Sequence, residues 1–450
     1  MLSTDSAVYK PLFHVKPENV REELKNYMLA DGFDFVLDLY ESEGSRFSDA
    51  RNGEKYLDFF TCFASLPVGM NHPKVNSPEF LRYIGSAALN KPSNSDIYTS
   101  EMASFVKTFF KIAVPKEFKY SFFIGGGALA VENALKTAFD WKVKHNFKKG
   151  YSSELGHKII HFNQAFHGRT GYTMSLTNTD PQKVKYFPKF DWPRVINPKM
   201  TFPLDSSAIE SLIQMEKLSI QQIKKAFIEN KDDIAAIIIE PIQGEGGDNH
   251  FRPEFLQELR NLSDENDCLL IFDEVQTGVG LTGTMWAHEQ LGVTPDIMCF
   301  GKKMQVCGII STDRVDSVEN NVFHEPSRIN STWGGNLTDM VRATRYLEII
   351  DEEKLVENAA IQGEYLKSKM METQSNLTGV ITNIRGRGLF AAFDFVNPVN
   401  RSKFISECWK NKLIILPCGD KSVRFRPALN ISSIEIDEGM MIISQILSKL

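Results

Sequence analysis

Residues 269–303 read LLIFDEVQTGVGLTGTMWAHEQLGVTPDIMCFGKK, and two short apolar runs inside this stretch decide the fold. The first, Leu269 to Phe272, stops at Asp273, and the second, Ile297 to Phe300, stops at Gly301 and Lys302. Continuous apolar runs of this length mark strands buried on both faces of a parallel sheet, and ligands collect at the carboxyl ends of such strands. An acid at one strand end and a primary amine at the next is the pair that pyridoxal phosphate chemistry requires. The carboxylate keeps the pyridine nitrogen protonated, and the amine forms the Schiff base. An amine against an apolar wall and near a cationic ring also loses part of its proton affinity, which frees it as a nucleophile. Lys303 competes with Lys302 for that role, and spacing alone does not separate the two. The plainer reading of Asp273 is a helix N-cap.

Outward from this stretch, short strands alternate with helices from about residue 60 to 330, which predicts an α/β fold around a mostly parallel sheet. The predicted strands are 121–124, 158–162, 234–239, 269–272 and 297–300. The predicted helices are 128–145, 252–266 and 285–291. Before this region a helix is expected over 17–30, with strands near 35–40 and 53–59. After it, a helix over 338–353 leads to a smaller α/β region containing GLFAAFDFV, KLIILP, VRFRP and a last helix over 433–450. The expected organisation is an N-terminal segment, 1–55, that joins the small domain; a large sheet domain, 56–336; and a C-terminal small domain, 337–450.

Several loops around this frame carry residues suited to anionic or planar ligands. In SFFIGGGALAVENALK a strand runs through Gly125, Gly126 and Gly127 into a helix starting near Ala128. Glycines let a phosphate approach the backbone, and the free amides of a helix start attract it. A simple strand-to-helix turn is the competing reading. Glu132 and Lys136 are expected to pair on the exposed face of that helix. In NQAFHGR, Phe166 can stack on a planar ring and Arg169 can grip a carboxylate, against core packing and a solvated charge. Glu240 ends a strand, and Glu245 lies in the glycine-rich loop after it, placed either to pair with an arginine as a gate or as an exposed acid. Glu274 and Gln276 can orient a ring hydroxyl or Asp273 itself. In NSTWGGN, Thr332 can donate to a phosphate and Asn330 to a substrate head group. Arg424 and Arg426 alternate on one strand and share a face, which suits an anion as well as a solvated edge.

Composition narrows the function class. The chain has 450 residues, 42% apolar and 24% charged, and a net charge of −6. This is a soluble, multidomain composition with no general attraction for nucleic acid or acidic membranes. No apolar stretch approaches the roughly 20 residues of a membrane span. MLSTDSAVYKPLFHVKP lacks the apolar centre of a signal peptide, so a cytoplasmic location is expected. The six cysteines show neither disulfide nor metal-ligand spacing, and no metal site is expected.

Together these segments resemble the class III (omega) aminotransferases of pyridoxal phosphate fold type I. The resemblance covers nearly the whole chain through GGALAVENALK, FHGR, EPIQGEGGD, IFDEVQTG, FGKK, NSTWGGNLTDMVRA and VRFRP, in the family's order. It implies that Lys302 is the Schiff-base lysine, that Asp273 pairs with the pyridine nitrogen and that Gln276 reaches the ring hydroxyl. It implies that Phe166 stacks on the ring, that the amides of Gly127 and Ala128 hold the phosphate, and that Thr332 contacts it from the neighbouring subunit of a homodimer. Arg169 is then expected to bind the distal carboxylate of the substrate, Glu245 and Arg424 to form a switch pair, and Asn330 to assist substrate choice. The members it resembles most transfer the ε-amine of L-lysine to 2-oxoglutarate; ornithine or 4-aminobutyrate is the alternative donor. Gly125 departs from the family pattern, where a glutamate precedes the two glycines, and Ala428 departs where many members repeat proline. A pyridoxal phosphate isomerase or decarboxylase is the competing class, disfavoured because it needs no second carboxylate-bearing substrate. A nucleotide-binding module is disfavoured because GGGALA lacks the third glycine of that loop.

Overall fold

The computed structural model describes residues 9–450. The first eight residues of the expected segment 1–55, and with them part of the stretch read against a signal peptide, lie outside the described residues.

Seven strands form the central sheet: β1 (Phe118–Ile124), β2 (Lys158–Phe162), β3 (Arg194–Val195), β4 (Ile234–Ile239), β5 (Leu269–Asp273), β6 (Ile297–Phe300) and β7 (Cys307–Thr312). Their order is β1-β7-β6-β5-β4-β2-β3. All neighbours are parallel except β7, which runs against both β1 and β6. The apolar runs explain the burial. Along β5 and β6, Leu270, Phe272, Met298 and Phe300 enter one hydrophobic layer, while Leu269, Ile271, Ile297 and Cys299 enter the layer on the opposite face. A strand needs apolar residues at every position when both of its faces are covered. In register, Cys299 lies beside Asp273, so the strand end that carries the acid and the one that leads to Lys302 are neighbours.

A second, antiparallel sheet has the order Ile381–Arg387, Phe390–Phe395, Ser422–Phe425, Leu416–Cys418. A third joins the chain ends, pairing Lys55–Asp58 with Arg46–Ser48 on one side and with Leu413–Ile414 on the other. The run KLIILP therefore serves two sheets.

Some local expectations are corrected. The segment 35–40 is not a strand; it makes one bridge, Leu37 with Asp49. Asp38 Oδ1 accepts from the amides of Tyr40 and Glu41 and turns the chain there instead. The helix over 17–30 contracts to a 3-10 turn, Pro17–Asn19, and one α segment, Val20–Lys25. Neither buries a residue, so no packing extends them. Glu132 does not pair with Lys136; it accepts from the Tyr172 amide. β7 and the long helix Ser206–Glu229 were not anticipated. All six cysteines are free. Among the described residues no helix is long and apolar enough to cross a membrane.

Candidate active site

The carboxyl ends of β2, β4, β5 and β6 open on a cavity of about 860 Å³ that is lined by Gly127, Ala128, Phe166, Arg169, Glu245, Asp273, Gln276, Lys302 and Arg424. Residues from six separate motifs thus converge on one space.

At one end of the cavity the helix Gly127–Lys148 begins directly after β1. Gly126 makes the turn with φ +106°, a conformation that a side chain would strain. The amides of the first helical turn have no partner within the helix and present a positive field to the cavity. Gly168 lies so close to this turn that a Cβ there would sit 2.4 Å from that of Ala128. Gly125 has open space beside it, so its departure from the family pattern disturbs no packing.

Asp273 is buried at the end of β5. His167 Nδ1 donates to its Oδ2 at 2.8 Å, and the Val275 amide donates to Oδ1 at 3.1 Å. Glu240 lies nearby, its two oxygens taken by the amides of Phe166 and Gly244. Burial pushes the Glu240 carboxyl up to about 7. Glu274 does not orient a ring or Asp273. Its carboxylate points away and accepts from Thr277 Oγ1 and from the amides of Ala287 and His288, which caps the helix Ala287–Leu291.

The two lysines part company after β6. Lys303 is buried away from the cavity, and its Nζ donates to the carbonyls of Gln276 (2.9 Å) and Ala64 (3.4 Å). Lys302, with φ +50°, turns its amine into the cavity. Burial lowers the proton affinity of the Lys302 amine, and the positive charge of Arg424 adds to this while Asp273 opposes it.

At the other end, Arg424 Nη2 forms an ion pair with Glu245 Oε2 at 2.9 Å, and Lys183 Nζ donates to Glu245 Oε1 at 2.7 Å. Burial raises the Glu245 carboxyl, but Arg424 and Lys183 outweigh it and hold the group below the ordinary carboxylate range. Arg424 Nε is buried without a hydrogen-bond partner among the described residues. Arg426 faces a different task. It grips Asp248 with two nitrogens and donates to Gln276 Oε1 from Nε at 3.1 Å, which fixes Gln276 at the cavity wall. Both arginines are buried, Arg424 on an interior strand and Arg426 just past its end, so the solvated-edge reading does not hold. Arg169 reaches the cavity from an exposed position.

A wall residue that the sequence reading missed is Phe63. Thr61, Cys62, Phe63 and Ala64 form a left-handed turn with φ from +42° to +65°. Such residues cost roughly 1–2 kcal/mol each. Asp58 Oδ1 accepts from the amides of Phe60 and Thr61, and Thr61 Oγ1 donates to the Arg426 carbonyl, so neighbours hold the turn in place. It sets the Phe63 ring 5.9 Å from Lys302 Nζ and 5.8 Å from Arg424 Cζ. Also missed were His167 and Lys183. Asn330 and Thr332 are the exceptions to convergence: both are exposed in the turn before the helix Leu337–Glu352, and neither lines this cavity.

The family model of class III aminotransferases matches residues 28–447. The chain is a class III aminotransferase. This aminotransferase is 52% identical over 422 residues to the L-lysine-epsilon aminotransferase of Mycobacterium tuberculosis, covering 94% of this chain and 93% of that one. It is 46% identical over 426 residues to the enzyme of the same name from Streptomyces clavuligerus, covering 94% and 93%. A solved structure of lysine aminotransferase from M. tuberculosis, in the internal aldimine form, superposes with a TM-score of 0.95 at 51% identity over 97% of this chain and all of that one. The fold is fold type I of the pyridoxal phosphate enzymes, and pyridoxal 5'-phosphate is the coenzyme of the aminotransferase. The cavity suits it. An anion-binding helix start, a buried carboxylate, an aromatic side chain and an amine of lowered proton affinity share one space.

Proposed function

We propose that this aminotransferase moves the ε-amino group of L-lysine to 2-oxoglutarate in a ping-pong cycle, giving 2-aminoadipate 6-semialdehyde and L-glutamate. The observation that carries the reading is the Glu245–Arg424 pair, closed at 2.9 Å in the same cavity as Lys302 and Arg169. The high identity to two lysine-epsilon aminotransferases supports the donor.

When bound, pyridoxal phosphate would supply an electron sink for the pair released when a proton leaves the carbon bearing the substrate amine. The residues around it supply the rest. Gly127 and Ala128 would offer backbone amides to the phosphate, and Phe166 would stack on the ring. Asp273, held by His167, would pair with the pyridine nitrogen, and Gln276, held by Arg426, would hold the ring hydroxyl. Lys302 Nζ is the base that takes the proton from the carbon bearing the amine and later returns it as an acid. Burial and the charge of Arg424 lower its proton affinity, which favours the free amine that this step needs.

Two unlike substrates use the one site. Lysine brings a reacting amine with no carboxylate beside it, so Arg424 stays neutralised by Glu245. 2-Oxoglutarate brings a carboxylate next to its keto group, and Arg424 leaves Glu245 to bind it. Arg169 holds the far carboxylate of either. An isomerase or decarboxylase would have no use for such a gate.

The proposed active unit is a homodimer in which Asn330 and Thr332 of one subunit serve the cavity of the other. Their exposed position, off the cavity of their own chain, supports this reading. The proposed division is 1–55 with the small domain, 56–336 as the large domain and 337–450 as the small one. The sheet that orders Arg46–Ser48, Lys55–Asp58 and Leu413–Ile414 puts a strand of the N-terminal segment together with one of the small domain and supports the first of these joins.

The test is a pair of single-turnover reactions on the coenzyme-loaded protein, followed by absorbance. L-lysine should convert the bound coenzyme to its amine form, and 2-oxoglutarate should convert it back with release of glutamate. No spectral change with lysine contradicts the donor assignment.

A further inference from the structure

We propose that Lys183 is the counter-ion that retains Glu245 when Arg424 lets go of it, and so is a positioning residue for the acceptor half of the reaction. This rests on the gate reading of Glu245 and Arg424 given above.

The Glu245 carboxylate is held at both oxygens by cations from different parts of the chain. Arg424 comes from the interior strand Ser422–Phe425. Lys183 comes from the short 3-10 turn Pro181–Lys183, whose start is fixed by Asp180 accepting from the Gln182 amide. Among the described residues Lys183 has no other carboxylate partner, and its amine lies 5.4 Å from the Phe166 ring. Glu245 is only 27% exposed at its side chain, so water is a poor substitute for a lost partner.

Opening the gate removes Arg424 from Glu245. Without a second cation, a largely buried carboxylate would then stand bare beside an incoming dicarboxylate. Desolvated anions are costly, and like charges at close range add to the cost. With Lys183 in place, Glu245 keeps one charge-assisted hydrogen bond in both gate positions. The cluster of Lys183, Glu245 and Arg424 also carries one net positive charge throughout, which favours the arrival of an anion. The donor half needs none of this, because there Arg424 itself neutralises Glu245.

A direct grip by Lys183 on the far carboxylate of the substrate is the rival role. The two differ in what they affect. A direct grip serves lysine and 2-oxoglutarate alike, whereas a counter-ion serves only the open gate and acts only through Glu245.

The experiment compares the two half-reactions of the coenzyme-loaded protein in Lys183→Met, Lys183→Arg, Glu245→Gln and the double variant Lys183→Met/Glu245→Gln. Lys183→Met should slow the 2-oxoglutarate half about fivefold more than the donor half, the scale of one partly exposed ion pair. Lys183→Arg should restore the ratio, and in the Glu245→Gln background Lys183→Met should leave it unchanged. Glutarate, which has no keto group to react, gives a binding readout by calorimetry. Its dissociation constant should rise by a similar, roughly fivefold factor in Lys183→Met and stay level between Glu245→Gln and the double variant. Equal slowing of both halves, or an effect that persists in the Glu245→Gln background, overturns the counter-ion role. If Glu245→Gln alone leaves the ratio of the halves unchanged, the gate itself fails. If lysine is not the donor, the same ratios can be read with whichever donor reacts, so the two failures are distinguishable.

Discussion

His167 Nδ1 donates to Asp273 Oδ2 across 2.8 Å, with the His167 ring wholly buried and the acid nearly so. The imidazole therefore fixes which way the carboxylate faces. A hydrogen bond to a charged group contributes roughly 1.5–3 kcal/mol. His167→Ala should lower kcat by about 10- to 100-fold through this orientation, with a smaller change in KM for either substrate. Steady-state kinetics with saturating coenzyme measures it. A change confined to KM would mean that His167 acts on substrate binding and not through Asp273.

The Glu245–Arg424 pair predicts an asymmetric variant. Glu245→Ala leaves Arg424 as an uncompensated cation where the donor amine must react. The lysine half-reaction should slow by about 30-fold, equivalent to ~2 kcal/mol, and more than the glutamate half does. Single-turnover rates for both halves decide the matter, and equal losses would remove the gate from the account.

Much of this site was legible because strand ends are marked twice, by an apolar run and by the polar residue that stops it. That marking located Asp273 and the Lys302–Lys303 pair before any geometry was known. It did not choose between the lysines, because the choice lies in a left-handed backbone at Lys302 and in carbonyls of Gln276 and Ala64 that are distant in the chain. Glu274 was misjudged for a similar reason. Its partners are the amides of a helix that starts at Ala287, and nothing beside Glu274 announces them. Lys183 sits in a polar loop outside every motif and looks like an ordinary solvated lysine until Glu245 is placed beside it. Phe63 was hidden because four non-glycine residues in a left-handed turn run against local preference, and only tertiary contacts hold them there. The strand expected over 35–40 fails where Asp38 captures two backbone amides that a ladder would need.

Lys303 gives a pH prediction. Burial holds its amine well below the ordinary 10.5, with Lys302 adding to the effect. The unfolded chain then binds more protons than the folded one between that lowered value and 10.5, so stability rises with pH across this window. Lys302, also lowered, acts in the same direction. The buried thiols of Cys268 and Cys418, whose proton affinity burial raises, act in the opposite direction above the ordinary thiol range, so the test is a comparison of variants. Urea midpoints of the coenzyme-free protein, followed up to about pH 10, should rise less or fall more with pH in Lys303→Met than in the parent. An unchanged slope in the variant would show that Lys303 is not the group being titrated.

The central claim is that a single cavity takes lysine as amino donor and a 2-oxo diacid as acceptor. The most direct measurement incubates the coenzyme-loaded protein with 2-oxoglutarate and, separately, L-lysine, ornithine, 4-aminobutyrate and related ω-amines, and quantifies the glutamate formed. Lysine is predicted to give the highest yield, and Lys302→Ala to give none with any donor and to lose the coenzyme absorbance near the visible edge. Glutamate from ornithine with none from lysine would contradict the substrate assignment, and full turnover in Lys302→Ala would contradict the site.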